Sequence, residues 1–120
     1  MHSGDDLPEV LASAPMRDAI YEMSRKKLGI TAVIDDQRVL LGCISDGDLR
    51  RLLEHQGDLL EKTAADCLKS DPVTIARDQL APAALRAMEE RRITSLFVVD
   101  ENTRLEGIVH LHDLWGLELF

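Results

Sequence analysis

Residues 28–35 read LGITAVID, and residues 93–100 read ITSLFVVD. Each stretch is an apolar run closed by an aspartate, which is typical of a buried strand that ends in a turn. The two stretches lie 65 residues apart, and the same offset aligns identical residues without a gap, among them Ala19/Ala84, Met23/Met88, Asp35/Asp100, Gly42/Gly107, Asp48/Asp113, Leu49/Leu114 and Leu52/Leu117. Self-similarity at a fixed period indicates one supersecondary unit used twice. We therefore expect the two copies to function as a pair, with any ligand site between or beside them.

The first copy predicts a helix, a strand, a turn, a strand and a short helix, in that order. Pro15 suits the first helical position, because its fixed φ and missing N–H cost nothing there, and Gly29 ends the helix. Strands follow at Ile30–Ile34 and Val39–Ile44, and a helix at Asp46–Leu53. We expect each copy to be a mixed helix and strand unit.

The second copy repeats this order. A helix opens at Pro82, strands cover Ser95–Val99 and Leu105–His110, and a last helix starts at His112. Shorter elements are predicted as leading strands and a connecting helix, at Glu9–Leu11, Val73–Ile75 and Ala64–Leu68.

Composition bounds the class of protein. With 120 residues, 45% of them hydrophobic, and a net charge of −8, the chain fits one globular domain with an aliphatic core. The negative field disfavours non-specific nucleic-acid binding and adhesion to an anionic membrane. No apolar run approaches the ~20 residues of a membrane span, and the acidic start is unlike a signal peptide, so we expect a cytoplasmic protein. Cys43 and Cys67 lack metal or redox spacing and are expected to be buried thiols.

The motifs of the second copy resemble a known family. They are DPVTI at Asp71–Ile75, ITSLFVVD at Ile93–Asp100, LEGIV at Leu105–Val109 and HDL at His112–Leu114. Together they resemble a cystathionine-β-synthase (CBS) domain, and two in tandem resemble a CBS pair, the adenosine- or nucleotide-sensing Bateman module. The resemblance implies an α+β fold of two β-α-β-β-α repeats, residues 1–60 and 61–120, packed through their sheets with pseudo-two-fold symmetry. It also implies a homodimer of CBS pairs.

The first copy is similar to a narrower family. MHSGD at Met1–Asp5, LGIT at Leu28–Thr31 and SDGDLRR at Ser45–Arg51 resemble the C-terminal regulatory part of arabinose-5-phosphate isomerases, enzymes of the Kdo branch of lipopolysaccharide synthesis. Those enzymes carry a sugar-isomerase domain upstream. The resemblance therefore implies a regulatory fragment that is not itself an enzyme, that has the isomerase domain as its partner, and that belongs to a higher oligomer in the full-length protein.

The segment Ser45-Asp46-Gly47-Asp48 is the main candidate for a ligand site. It follows a strand and opens a helix, so backbone N–H groups and the helix dipole favour a phosphate there. The Ser45 hydroxyl can donate to a phosphate oxygen, and the resemblance to CBS modules gives Asp48 the role of accepting two ribose hydroxyls. The alternative is a capping box, in which Ser45 caps the helix and Asp48 is its partner. Both interpretations can hold together.

In the second copy His110-Leu111-His112-Asp113 occupies the same place. His110 replaces Ser45, which weakens a phosphate contact, while Asp113 keeps the ribose role that the resemblance implies. Two histidines two residues apart suggest a metal, but no carboxylate or thiol is spaced to complete a coordination set. A hydrolase triad of Ser95, His110 and Asp113 lacks a nucleophile elbow and an oxyanion-hole motif. We expect neither a metal nor a catalytic residue.

A chain of this charge needs local cations to bind a nucleotide. Lys27 and Arg92 match across the repeat and lie beside the strands expected to line the site, so we assign them to the ligand. The basic residues just before them suit helix C-termini. Arg50-Arg51 forms a third cluster, from which Arg50 is a ligand candidate. Three residues with hydroxyl groups lie at the starts of these strands: Thr31, Thr94 and Ser95. Their hydroxyls are candidates to contact the edge of a base or sugar. The alternative is that these residues only reflect β-propensity.

Two classes of function remain. The first is a regulatory module that senses a nucleotide or nucleotide-sugar, requires no cofactor and biases an attached isomerase. Feedback logic in the resembled pathway favours CMP-Kdo, whose carboxylate gives Lys27, Arg92 and Arg50 a role through charge-assisted hydrogen bonds; the general CBS repertoire favours AMP or ATP. The second class is a structural module whose helical stripes bury against a second copy and drive assembly of the isomerase.

Overall fold

The computed structural model describes residues 3–4, 7–26, 28–55, 58–70, 72–76, 83–91, 93 and 95–110. The chain divides into two compact units. The first unit is Pro8–Asp71, and the second joins Met1–Leu7 to Pro72–Phe120. Among the helices of the described residues, none combines the length and apolarity needed to cross a membrane.

The first unit is built on a four-stranded sheet. Its described elements are β1 (Glu9–Leu11), α1 (Met16–Lys26), β2 (Ile30–Ile34), β3 (Leu40–Ser45), α2 (Asp46–His55), a 3-10 helix (Leu59–Glu61), α3 (Ala64–Cys67) and β4 (Lys69–Ser70). The strand order is β1-β2-β3-β4, with β1 parallel to β2 and the other pairings antiparallel. Helix α1 supplies the crossover that two parallel strands require. Predicted and observed boundaries differ by a residue or two, as is usual where helix and strand ends fray.

The second unit repeats the arrangement. Its described elements are β5 (Thr74–Ala76), α4 (Ala83–Arg91), β6 (Ser95–Val99) and β7 (Leu105–His110). The sheet order is β5-β6-β7, again with a parallel first pair and an antiparallel second pair. The helix start predicted at Pro82 and the helix predicted from His112 lie outside the described residues. Two sheets, each with a crossover helix between its parallel strands, confirm the predicted α+β class.

Each unit encloses an aliphatic core under its long helix. In the first unit Met16, Ala19 and Met23 of α1 pack with Val33 and Ile44 of the sheet. In the second unit Met88 of α4 joins a cluster of strand residues, namely Ile75, Leu96, Val98 and Val109. Full burial of one methionine stabilises a fold by roughly 1.5–3 kcal/mol. Because the α1 stripe is buried within its own unit, the expectation that it packs against a second copy is wrong.

The turns between the antiparallel strands explain the matched aspartates. Oδ1 of each aspartate accepts two backbone N–H bonds at 2.8 or 2.9 Å, from Gln37 and Val39 at Asp35 and from Asn102 and Arg104 at Asp100. Arg38 and Thr103 occupy the left-handed region at the same place in each turn, with φ of 67° and 63°. Aspartate recurs because its carboxylate satisfies N–H groups that the turn leaves without a strand partner.

Gly42 allows β4 to approach β3. A Cβ atom at Gly42 would lie 2.5 Å from the carbonyl oxygen of Lys69 and 2.7 Å from Cδ1 of Leu68, which no side chain could accept. Gly42 and Ser70 are paired in the antiparallel register of these two strands. Residues 64–70 therefore pack on the first unit. The repeat boundary predicted between residues 60 and 61 stays a prediction, because a sequence repeat and a compact unit need not end at the same residue.

Candidate functional site

Helix α2 begins with a reciprocal cap between Ser45 and Asp48. The backbone N–H of Asp48 donates to Oγ of Ser45 at 3.1 Å, and the backbone N–H of Ser45 donates to Oδ2 of Asp48 at 3.1 Å. This is the capping box that the sequence offered as an alternative, and it is confirmed. Because Oγ of Ser45 accepts in this cap, its own proton can still be donated to a ligand.

Gly29 fixes where α2 starts. Its carbonyl oxygen accepts the backbone N–H of Asp46 at 2.9 Å. Its φ is +74°, and a Cβ atom there would lie 3.1 Å from Oδ2 of Asp46. Glycine is suited to both conditions, since it adopts positive φ without strain and leaves room for the Asp46 carboxylate. The start of β2 is thereby tied to the first turn of α2.

The second carboxylate oxygen of Asp48 contacts an arginine one turn along the helix. Nη2 of Arg51 donates to Oδ1 of Asp48 in an ion pair, in which the Asp48 side chain is 15% exposed and that of Arg51 is 65% exposed. Partial burial acts to raise the pKa of the Asp48 carboxyl, but the hydrogen bonds from Ser45 and Arg51 outweigh it and hold that pKa below its usual value. Asp48 is therefore an ionised acceptor at neutral pH.

Gly47 leaves room beside the cap for a group the size of a Cβ atom. A Cβ atom there would lie 3.8 Å from both Oγ of Ser45 and Nη1 of Arg51, so a hydroxyl and a guanidinium border this space. Of the backbone N–H groups of Asp46, Gly47 and Asp48, the first and third are hydrogen-bonded, and that of Gly47 has no partner among the described residues. The Gly47 N–H lies at the positive end of α2 and can donate to an anionic group such as a phosphate.

A groove of about 310 Å³ runs along α2 of the first unit, from Asp48 to His55, and its lining does not include Ser45 or Gly47. Apolar surface comes from Leu52, Cys67 and Leu68, and charged or titratable groups are contributed by Asp48, Arg51, His55 and Lys69. The groove thus combines an apolar wall with a carboxylate and basic side chains. Such a lining suits a ligand that has a flat or apolar body together with hydroxyl and anionic groups.

Sequence reasoning did not identify His55 and Lys69, and it treated Arg51 only as part of a basic cluster. Arg51 and His55 lie three and seven residues after Asp48, so their shared helix face could have been inferred from spacing. Lys69 had no such signal, because it reaches the groove through the pairing of β4 with β3, where it lies opposite Cys43.

Both cysteines are free and buried, as predicted. Burial raises the pKa of the Cys43 thiol to about 11, with a further increase from the Asp48 charge and an opposing effect from Lys69. Burial also raises the pKa of Cys67. Neutral thiols are poor nucleophiles, so Cys67 contributes apolar surface to the groove.

Of the first-copy candidates, the structure brings Ser45 and Asp48 together but not Thr31 or Arg50. Thr31 has no exposed surface and lies on the same face of β2 as Val33, which packs with α1. Its hydroxyl has no hydrogen-bond partner among the described residues. Arg50 is exposed on α2 and does not line the groove.

The second-copy candidates are described only in part. Ser95 and His110 are directly paired where β6 begins and β7 ends, as Ile30 and Ser45 are in the first unit. Oγ of Ser95 is buried without a partner among the described residues, and His110 is half-buried. In the part of the chain that the structure describes, no group of His, Cys, Asp and Glu is arranged to hold a metal. Outside the described residues lie the remaining candidates, Lys27, Arg92, Thr94 and Asp113.

Comparison with known proteins agrees with this architecture. The model of the CBS domain family matches residues 3–55 and 64–114, so the chain belongs to the CBS domain family. It is 40% identical over 114 residues to arabinose 5-phosphate isomerase KdsD of Escherichia coli (strain K12), a match that covers 95% of this chain and 34% of the relative. The same enzyme of Pseudomonas aeruginosa is also 40% identical over 114 residues, with 95% and 35% covered.

A solved structure shows the same fold. CBSX2 in complex with AMP has a TM-score of 0.86 and 28% identity, covering 99% of this chain and 92% of that chain. The chain spans about a third of the length of the curated relatives it matches. Because the shared part is the part that the CBS model matches, this chain corresponds to the regulatory region of those relatives and not to their isomerase domain.

Proposed function

We propose that this chain is the regulatory CBS pair of a D-arabinose-5-phosphate isomerase and that it binds a nucleotide or nucleotide-sugar where α2 begins. The proposal rests mainly on one arrangement: the Ser45 hydroxyl borders the space beside Gly47, whose N–H has no partner among the described residues, next to the ionised carboxylate of Asp48. The similarity to KdsD supports the isomerase context. In this view residues 1–60 and 61–120 are the two CBS repeats, and a sugar-isomerase domain is their partner.

The proposal gives each part of a nucleotide a contact in this site. A phosphate beside Gly47 accepts hydrogen bonds from the Ser45 hydroxyl and the Gly47 N–H, and the helix dipole stabilises its charge. We assign the ribose hydroxyls to Asp48, because its carboxylate is ionised and lines the groove. The apolar wall of Leu52 and Leu68 is left for the base.

CMP-Kdo is the ligand that we favour, and AMP or ATP is the alternative. An activated end product is the natural feedback effector of the proposed pathway, and its carboxylate would be attracted by the basic residues of the groove, His55 and Lys69. The alternative is supported by CBSX2, whose solved complex contains AMP. No cofactor is required for sensing, and the proposal places the protein in the cytoplasm, with those nucleotides.

Thermal unfolding in the presence of CMP-Kdo, CMP, AMP and ATP tests this proposal. A ligand at 100 times its Kd adds about 2.7 kcal/mol of stability. Asp48→Ala should abolish this increment. It should also lower the free energy of unfolding by about 1 kcal/mol, because the cap of α2 is lost. Asp66→Ala is the matched control, because Asp66 accepts the Thr63 N–H in an equivalent capping box at α3. Negligible shifts with all four nucleotides would contradict the sensing function.

A second candidate function is assembly of the isomerase through homodimers of the pair. It is supported by apolar side chains left exposed on the first unit: Tyr21, Leu53 and Leu60 are 64%, 60% and 59% exposed. Burying them against a copy would remove apolar surface from water. Sedimentation of wild type and of Tyr21→Glu and Leu53→Glu variants tests this role. We expect weaker dimers with unchanged nucleotide response, and a wild type that is monomeric at every concentration would contradict it.

A further inference from the structure

Arg51 has two possible partners within reach of one guanidinium. Nη2 contacts Oδ1 of Asp48, while Nη1 borders the space beside Gly47 in which the proposed function seats a phosphate. We infer that Arg51 exchanges partners on binding, leaving the Asp48 carboxylate for the phosphate of the ligand. This inference rests on the proposed function and adds a specificity rule, namely that the site favours nucleotides over nucleosides.

The contact with Arg51 competes with a sugar at Asp48. Oδ2 of Asp48 is committed to the Ser45 N–H of the cap, so Oδ1 is the oxygen less constrained by the fold. The guanidinium of Arg51 lies on that oxygen, and both side chains line the groove. A ribose diol that donates two hydrogen bonds to Oδ1 needs both acceptor positions of that oxygen, and Arg51 occupies one of them. The ion pair closes the sugar position until something draws the guanidinium away.

The exchange is inexpensive for the protein. The Arg51 side chain is 65% exposed, and exposed ion pairs contribute little to stability. After Arg51 leaves, the Asp48 carboxylate keeps its bond from the Ser45 N–H and gains the ribose hydroxyls. The guanidinium gains a phosphate, which it can bind with two parallel hydrogen bonds. A nucleotide supplies both new partners, hydroxyls for Asp48 and a phosphate for Arg51. A nucleoside breaks the ion pair but has no phosphate for Arg51.

The two copies differ at this position. The residue that matches Arg51 across the 65-residue repeat is Gly116, and the residue that matches Gly47 is His112. Glycine carries no cation, so the second copy contains no counterpart of this exchange in its sequence. The rule is therefore a property of the first copy, and a substitution at Arg51 addresses that copy alone.

Removing the guanidinium should change the two affinities in opposite directions. In Arg51→Gln we expect cytidine and adenosine to bind about two- to fivefold more tightly, because no ion pair has to be broken. CMP and AMP should bind about tenfold more weakly, because a charge-assisted contact with the phosphate is lost. Titrations followed by NMR measure both affinities, including the weak ones of the nucleosides.

Arg25→Gln is the matched control. Arg25 pairs with Glu22 three residues earlier on α1, at 3.7 Å, so the variant removes an equal charge from an ion pair of the same sequence spacing, away from the groove. Neither affinity should change in this variant. Melting temperatures show whether both variants keep the fold. We expect them to keep it, because both arginine side chains are exposed.

The outcomes separate the inference from the proposed function. Opposite shifts in Arg51→Gln, with none in Arg25→Gln, support the exchange. If wild type binds CMP or AMP and Arg51→Gln leaves both affinities unchanged, or weakens nucleoside and nucleotide by the same factor, the exchange is overturned and the binding function stands. If wild type binds none of CMP, AMP, ATP and CMP-Kdo, both the function and the exchange are overturned.

Discussion

The two copies of the repeat agree in the turn between their antiparallel strands and differ where the last strand of each sheet ends. Asp35 and Asp100 accept hydrogen bonds from equivalent backbone positions. At the other end, β3 finishes at Ser45 and β7 finishes at His110. Every copy must satisfy the N–H groups of its turn in order to fold, whereas the residue that ends the last strand differs between two copies of the same fold. The comparison therefore separates scaffold from chemistry.

A second difference lies beside the same turn. In the first unit Arg38 binds Glu9 of β1 with two parallel hydrogen bonds, of 2.9 and 2.8 Å. The matching residues in the second copy are Thr103 and Thr74, which cannot form an ion pair. Thr103 nevertheless keeps the left-handed backbone of Arg38, so the turn does not depend on that ion pair.

The largest predicted effect concerns the two cores. Met23 and Met88 match across the repeat and are 4% and 1% exposed, so Met23→Ala and Met88→Ala should each lose about 2–5 kcal/mol of unfolding free energy. Urea unfolding measures both values. Leu60→Ala, at an exposed position, should stay within about 0.5 kcal/mol. A loss near zero for either methionine would mean that the two cores are not equivalent.

A smaller effect is expected at the turns. Asp35→Ala and Asp100→Ala each remove an acceptor of two backbone hydrogen bonds, which should cost about 1–2 kcal/mol in both copies. Asp36→Ala, at the exposed neighbour, is the control. Chemical denaturation of the three variants measures the costs. The shared-scaffold account predicts similar losses at Asp35 and Asp100, and it fails if only one of them matters.

The smallest effect is expected at Thr31. Its second-copy counterpart is Leu96, and the Thr31 hydroxyl is buried without a partner among the described residues. Thr31→Val keeps the shape and removes the unpaired polar group, so stability should be unchanged or higher by up to about 1 kcal/mol. Denaturation combined with nucleotide titration measures both aspects. A lost nucleotide response would instead restore Thr31 as a ligand residue.

The hairpins and long helices could be predicted from sequence because their signals are local. An apolar run that ends in Asp35 or Asp100 contains its own turn chemistry, and Pro15 marks a helix start within a residue. The cap between Ser45 and Asp48 was predictable for the same reason, since its partners are three residues apart.

The groove could not be predicted in the same way. Lys69 and Leu68 reach it because β4 pairs with β3 over a distance in sequence that no local pattern reports. Arg50 and Arg51 look alike in sequence, yet only Arg51 is three residues from Asp48 and contacts it. Thr31 was assigned to a ligand from its position at a strand start, while the alternation of the strand turns its side chain toward the core.

The most direct test of the account is the response of Gly47→Ala to a nucleotide. The central claim is that the space beside Gly47 holds the phosphate, and a methyl group there would lie 3.8 Å from Ser45 Oγ and Arg51 Nη1 without a clash. Since alanine favours helix, the fold should be as stable as wild type or more stable by up to about 1 kcal/mol. The account predicts that the thermal shift with the best of CMP-Kdo, CMP, AMP and ATP is lost, and a shift equal to that of wild type would contradict it.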